Sequence, residues 1–130
     1  MMNDKAVPVS IDPDPLKPYA LSPAWRVGDL VFLSGQAAIA DDGAIVREGD
    51  FDRQLAQTFA NIQRVLKAAG SDMSKIVKVT IYLTDMSNFP KIVDARMQYF
   101  TPPYPADTTV EVTGLALPEL MIEIDVTATV

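Results

Sequence analysis

"FDRQLAQTFANIQRVLKAAG", residues 51–70, is the stretch that decides the fold, because its apolar side chains recur every three or four positions. The recurring residues are Phe51, Leu55, Phe59, Ile62, Leu66 and Ala69. This spacing places them along one side of an α-helix. Asp50 is the expected N-cap, and Gly70 is the expected residue just past the C-terminus. The pattern predicts an amphipathic helix that packs on another layer.

The segment that follows, "KIVKVTIYL" at residues 75–83, changes to a period of two, which is typical of a strand. One face of that strand is expected to be apolar and the other polar. The apolar set is Val77, Val79, Ile81 and Leu83, and the polar set is Lys78, Thr80 and Tyr82. A strand with one buried face fits a sheet that the helix covers.

The rest of the chain completes an α+β pattern. "SNFPKIVDARMQYF", residues 87–100, predicts a second helix with Ser87 or Asn88 as cap and Pro90 in its first turn. Its apolar stripe is predicted to be Phe89, Ile92, Val93, Met97 and Phe100. "LVFLSGQ" (30–36), "DTTVEVTGL" and "LMIEIDVTATV" read as strands, while residues 1–18, with four prolines, are expected to be irregular. We therefore expect one domain over residues 1–130, with the helices on one face of the sheet.

The last two strands raise the question of what covers the second face of the sheet. Alternation predicts Thr108 and Val110 under the helices, and Asp107, Thr109 and Glu123 on the opposite side. Two interpretations remain open: that face is in solvent, or another subunit covers it. If the two strands form a hairpin, Glu111 and Glu123 would lie close together. One of the two carboxyl groups would then have a raised pKa and could serve as a general acid or base.

Composition limits the chemistry. The net charge is −6 and the basic residues are scattered, which disfavours nucleic-acid binding. No His and no Cys occur, so His-based metal sites, the usual catalytic triads and disulfides are excluded. No apolar run is long enough to cross a bilayer and no leader is recognisable, so we expect no membrane contact and a cytoplasmic location. Catalysis would depend on carboxylates, hydroxyls, Tyr, Lys, backbone amides or bound water.

Five stretches, in this order, carry a resemblance to a known family: "GDLVFLSGQ", "NIQRVLKAAG", "IVKVTIYLTDMSNF", "YFTPPYPADTTVEV" and "IEIDVTA". With them the chain resembles the RidA (YjgF) family of reactive-intermediate deaminases over nearly its whole length. The resemblance implies a chorismate-mutase-like fold, with a mixed sheet and two helices packed on one face. It also implies a homotrimer that binds a small metabolite in clefts between subunits. Active members hydrolyse imines or enamines and need no metal and no cofactor.

The resemblance also implies which residues form the cleft. Glu123 corresponds to the glutamate that positions or activates the attacking water. The remaining substrate-binding candidates are Tyr19, Ser34, Gly35, Phe89, Asp107 and Thr109. Two structural alternatives stay open: Tyr19 packs at a surface, or Gly35 ends a strand with an unusual φ.

Asp107 departs from the family pattern, because active deaminases have at this position an arginine that binds the substrate carboxylate. Two unit charges 4 Å apart interact by about 4 kcal/mol at an effective dielectric of 20, so this change predicts altered specificity. A guanidinium from Arg26, Arg47 or Arg96 could restore the positive charge, and Asp107 could instead bind a polar ligand or cap its strand. An enzyme acting on an altered imine or enamine is the expected function. The alternatives are a non-catalytic trimer that binds a small ligand and, least favoured by the charge, an RNA-acting protein.

Overall fold

A computed structural model describes residues 5–130, and in that range the chain forms seven strands and two α-helices. The strands are β1 (Ala6–Val9), β2 (Ala24–Val27), β3 (Leu30–Leu33), β4 (Gln36–Ala37), β5 (Ile76–Leu83), β6 (Ala106–Glu111) and β7 (Ile122–Thr129). The helices are α1 (Phe51–Ala68) and α2 (Phe89–Tyr99). The predicted α+β class is confirmed.

The strands form one mixed sheet in the order β1-β2-β3-β7-β5-β6, and β4 pairs with β7 beyond the end of β3. Every pairing is antiparallel except that of β5 with β6, which is parallel. Because β5 lies between β6 and β7, the predicted hairpin of the last two strands is wrong. Strand β5 therefore separates Glu111 from Glu123. The Glu111 carboxylate instead accepts a hydrogen bond from the Met86 N–H at 2.8 Å.

The sheet has a helix face and an open face, which differ in what covers them. On the helix face, Val79 and Ile81 of β5 and Ile122 and Ile124 of β7 join the buried side chains of α1 and α2 in one core. Residues that alternate with these, such as Tyr82 and Glu123, point to the open face and are only partly buried. Both helices pack on the same face, as predicted.

Two assignments of side chains to these faces are wrong. The register between β5 and β7 shifts between Ile76 and Lys78, so that Ile76 is buried and Val77 is 47% exposed. In β6, Asp107 pairs with Val79, and Thr109 pairs with Ile81, so both polar side chains lie on the helix face. Thr108 and Val110 alternate with them and lie on the open face. The side chains of β6 alternate between the two faces as predicted, but the set predicted to lie under the helices lies on the open face. The reason is that β6 pairs with β5 rather than with β7.

Helix α1 matches its prediction at both ends. The Asp50 side chain accepts a hydrogen bond from the Arg53 N–H at 3.0 Å, and Gly70 follows with φ +82°. Helix α2 matches less well. Ile92, with Ala95, is buried against the core, and so is Phe100 just after the helix, but the other members of the predicted stripe, Phe89, Val93 and Met97, are exposed. The apolar residues of α2 therefore form two faces, of which only one packs on the sheet.

The N-terminal segment is more regular than expected. Within residues 1–18, which the prolines predict to be irregular, Ala6–Val9 forms the edge strand β1 and pairs with β2. Pro8 is compatible with this position because an edge strand has one side without hydrogen-bond partners. Residues 1–4 of that predicted segment lie outside the described range.

Candidate functional site

A cavity of about 330 Å³ opens where β3 ends and β4 begins, at Ser34 and Gly35. This volume lies in the range of small-molecule pockets. Tyr19, Ser34, Gly35 and Glu123, four of the residues predicted for the site, line it together. The fold brings them into contact because both β3 and β4 pair with β7, which places the break between them beside Glu123.

At Gly35, the Glu123 side chain occupies the space that a Cβ atom would need. A Cβ atom built at Gly35 would lie 2.8 Å from Glu123 Cδ and 3.1 Å from Cγ, closer than unstrained atoms approach. Gly35 is not among the residues with positive φ, so the alternative of an unusual φ at this position is wrong. The absence of a side chain allows the carboxylate to lie against the backbone.

The surroundings of Glu123 favour its protonated form. Partial burial raises the pKa of its carboxyl, and the negative charge of Asp125 raises it further. Tyr82 donates a hydrogen bond to Asp125 at 3.0 Å, and this bond is the main reason that the pKa of Tyr82 is also raised. A raised pKa increases the fraction of this carboxyl that is protonated at a given pH, as a general acid requires.

Other polar side chains of the cavity are engaged within the chain. The Ser34 hydroxyl donates to the Ser22 carbonyl at 2.6 Å, and Gln36 Nε2 donates to the Ser34 carbonyl at 3.0 Å. In the described part of the chain, Glu123 and Tyr19 have no such partner. Tyr19 is 51% exposed, with its ring at the rim. Glu123 and Tyr19 are therefore the polar side chains that remain available to a ligand.

The other predicted site residues form a second cluster on the helix face of β6. Arg96 on α2 donates from Nε to Asp107 Oδ2 at 3.1 Å and from Nη2 to Asp107 Oδ1 at 3.0 Å. Arg96 Nη2 also donates to Thr109 Oγ1 at 3.0 Å, and the Phe89 ring centroid lies 5.4 Å from the guanidinium carbon. Because Glu123 lies on the open face, one chain places the predicted site residues in two separate groups.

Of the alternatives for Asp107, the structure supports the one in which a guanidinium meets its negative charge. The two-point ion pair with Arg96 neutralises it, and the Asp107 side chain is only 12% exposed. Of the three candidate arginines, Arg96 is the one at this position. Arg26 instead donates to the Gly28 carbonyl, and Arg47 lies in the loop before α1.

The sequence did not predict that residues of α1 and of the segment before β7 line the cavity. Asn61 and Arg64 of α1 line the cavity, as do Leu117 and Leu120. Asn61 is one of several polar residues of the amphipathic helix α1, and no sequence pattern singles it out. The leucines could not be assigned from local pattern, because they lie in a loop.

Within residues 5–130, no three acidic side chains come close enough together to hold a metal ion. Neither helix combines the length and the apolar character that a membrane span requires.

Known proteins match this chain over most of its length. A family profile described as Endoribonuclease L-PSP matches residues 10–130. A RutC family protein of Pyrococcus horikoshii is 36% identical over 116 residues, which cover 89% of this chain and 90% of that protein. A 2-iminobutanoate/2-iminopropanoate deaminase of Dermatophagoides farinae is 34% identical and covers 88% of each chain. The crystal structure of YyfA from Yersinia pestis, a Rid family protein described as of unknown function, superposes with a TM-score of 0.88 at 33% identity over 96% of this chain and 99% of that one.

Replacing Gly35 with Ala should displace the Glu123 carboxylate. The added Cβ would overlap the Glu123 side chain, which would turn toward solvent, so the pKa of Glu123 should fall toward its ordinary value. A ¹³C NMR titration of the carboxyl carbons measures this shift. Gly114→Ala is the matched control, because no atom lies within 4 Å of its added Cβ. An unchanged Glu123 titration in Gly35→Ala would contradict the close approach.

Proposed function

The chain belongs to the Rid family, also called the YjgF or endoribonuclease L-PSP family, and we propose that it hydrolyses an imine or enamine to a carbonyl compound and ammonia. The observation that carries the proposal is the Glu123 carboxyl, which lies partly buried in a small cavity against Gly35, with a raised pKa and no partner within residues 5–130. The name of the Dermatophagoides farinae relative, an imine deaminase, supports the same reaction.

The proposed mechanism uses Glu123 first as a base and then as an acid. Its carboxylate removes a proton from a water molecule while the water oxygen bonds to the carbon of the C=N group. The nitrogen of the protonated imine already carries the proton that it needs, so this addition gives a neutral carbinolamine. Glu123 then returns its proton to the nitrogen, and the C–N bond breaks as ammonia leaves. The hydroxyl becomes a carbonyl by giving its proton to the Glu123 carboxylate, which passes it to the departing ammonia. One water is consumed for each ammonia released.

We place this reaction in clefts between the subunits of a homotrimer. Within one chain, the Glu123 side chain and the Arg96–Asp107 cluster lie on opposite faces of the sheet. A cyclic arrangement could set the cavity of one copy beside the Arg96–Asp107 cluster of the next. The open face supports such an assembly, because it exposes apolar side chains on neighbouring strands. These are Val27, Leu30, Phe32 and Val110.

We also propose that the substrate differs from that of family members with an arginine at the start of β6. The pair formed by Arg96 and Asp107 has no net charge, whereas a free guanidinium would attract a substrate carboxylate by about 4 kcal/mol at 4 Å and an effective dielectric of 20. The two Nη1 hydrogens of Arg96 have no partner within residues 5–130 and could still bind an anion. A carboxylate would thus be bound weakly rather than repelled.

The neutral ion pair also favours a second candidate, a non-catalytic trimer that binds a small metabolite. In that case the cavity would retain a ligand without turning it over. Ribonuclease activity, which the family description mentions, is not proposed for this chain, because the net charge of −6 disfavours binding to phosphates.

An imine-trapping assay separates the enzyme from the binding protein. An amino-acid oxidase or a serine or threonine dehydratase generates the 2-imino acid, and semicarbazide traps what remains. An enzyme lowers the yield of semicarbazone in proportion to its concentration. Saturable ligand binding without any such decrease would favour the non-catalytic candidate.

Replacing Phe32 with Glu should dissociate the trimer. Phe32 is 44% exposed on the open face, so a charge there can be solvated in a single chain but not in an apolar interface. Sedimentation velocity should report three times 14.2 kDa for the wild type and a smaller particle for the variant. Val7→Glu is the control, because Val7 is 55% exposed on the edge strand β1 and lies on the opposite face of the sheet from Phe32. A monomeric wild type would refute the trimer.

Replacing Glu123 with Gln should lower kcat/KM for imine hydrolysis by about 10²- to 10⁴-fold, the usual contribution of a general acid–base group. The deprotonated carboxylate starts the reaction, so wild-type activity should rise as the pH increases through the raised pKa of Glu123. The trapping assay, run from acid to neutral pH, measures both effects. Glu48→Gln makes the same change of charge at an exposed residue outside the cavity and should have no effect. Full activity of Glu123→Gln would exclude the mechanism.

Replacing Asp107 with Asn should raise kcat/KM for imines that carry a carboxylate, by about tenfold or more. The amide oxygen can still accept from Arg96, but the guanidinium charge is no longer neutralised. Asp94→Asn removes the same charge from an exposed position on α2 and serves as the matched control. Equal rates for the two variants would show that the charge at Asp107 does not act on the ligand.

A further inference from the structure

Six apolar side chains of the cavity lining, from two stretches of the chain, form what we call its apolar wall: Ile11, Leu16, Leu21, Pro23, Leu117 and Leu120. Asp14 also lies in the lining, and its Oδ1 accepts a hydrogen bond from the Leu16 N–H at 3.1 Å. Leu120 also belongs to a small buried cluster with Ala37, Ala38 and Ile39, separate from the main core. Leu16 and Leu117 pack against that cluster. The cavity therefore has an apolar wall with its own hydrophobic support.

The polar groups along this wall already have partners within the chain. Asn61 Nδ2 donates to the carbonyl oxygens of Ala37 and Ile39, both at 2.8 Å. Arg64 Nη1 lies 3.2 Å from Asp41 Oδ1, and its Nη2 donates to the Pro13 carbonyl at 2.6 Å. These side chains stiffen the wall but offer a ligand little further hydrogen bonding. A polar group placed against them would lose its hydration without full compensation.

The cavity is thus divided into a polar and an apolar part. Glu123 and Tyr19, with the backbone at Gly35, contact the reacting end of a ligand, and the leucines contact the rest of it. We propose that this apolar wall is the side-chain subsite of the substrate, and that the protein prefers imines with a branched or long aliphatic group over the smallest 2-imino acids. This inference rests on the proposed function and specifies the substrate class of the same site.

The chemistry of such imines limits the reaction that supplies them. Small 2-imino acids arise when a hydroxy amino acid loses water, which requires a hydroxyl on the β-carbon. An aliphatic side chain has no hydroxyl to lose. Its imine forms instead when the amine is oxidised, with two electrons and two protons passing from the Cα–N bond to an oxidant. The supplying reaction would therefore be an amine oxidation, with oxygen or a bound redox cofactor as the electron acceptor.

The trapping assay tests this preference with two imines made by an amino-acid oxidase in the presence of catalase. One derives from leucine and the other from alanine. Each buried methylene adds a factor of roughly four, so kcat/KM should be at least about tenfold higher for the leucine-derived imine. Leu117→Trp should bring the ratio of the two values toward one, because the indole would fill the subsite. Val7→Trp, at an exposed residue of β1 outside both the cavity lining and the small buried cluster that contains Leu120, should leave the ratio unchanged.

A binding measurement on the wild-type protein keeps the inference testable if a variant does not fold. Methyl-labelled protein is titrated with 4-methyl-2-oxopentanoate and with 2-oxopropanoate, the stable keto acids of the two imines. The methyl signals of Leu16, Leu117 and Leu120 should shift with the first and not with the second, while those of Leu66 and Leu83, in the main core, stay unchanged.

The outcomes separate the two proposals. Hydrolysis of both imines at equal rates would overturn the subsite and leave the deaminase standing. If neither imine is hydrolysed faster than without the protein, the proposed function fails. The titration then decides the subsite: selective shifts at the three leucines support it, and equal shifts or none overturn it.

Discussion

The two-residue alternation of β5 and β7 is the constraint on which the rest of this structure depends. Adjacent side chains of a strand point to opposite faces, so burying Val79 and Ile81 under the helices forces Tyr82 toward the open face. The same rule places Glu123 opposite Tyr82, between Ile122 and Ile124. The Glu123 carboxyl is thus positioned by the packing of its apolar neighbours.

The cavity is the consequence of a break in the sheet at the edge of this arrangement. Where β3 ends and β4 begins, Ser34 and Gly35 leave the regular pairing with β7, and the missing side chain at Gly35 leaves room for Glu123. Burial then raises the pKa of that carboxyl. Geometry and electrostatics are linked here, because the close approach that needs a glycine also removes water from the carboxylate.

The Arg96–Asp107 pair shows how an acid at the start of a strand can be neutralised by a neighbouring element. An isolated carboxylate at this position would repel a ligand carboxylate. A guanidinium from α2 instead meets it with two hydrogen bonds and a third contact to Thr109. The site is left with a neutral pair, so specificity would depend more on shape and apolar contact than on charge.

The sequence by itself determined α1 with both of its ends, the α+β class, and the residues that meet at the cavity: Tyr19, Ser34, Gly35 and Glu123. Helix periodicity and caps are properties of residues close together in the chain, and the order of the five stretches carried the family resemblance. Only the tertiary structure decided that β6 lies beyond β5, that Asp107 and Thr109 face the helices, and that Arg96 reaches Asp107. Alternation along a strand shows which residues share a face, but which face is buried depends on the partners on either side. Those partners are brought together by the packing of the whole core, and no local pattern in β6 encodes them.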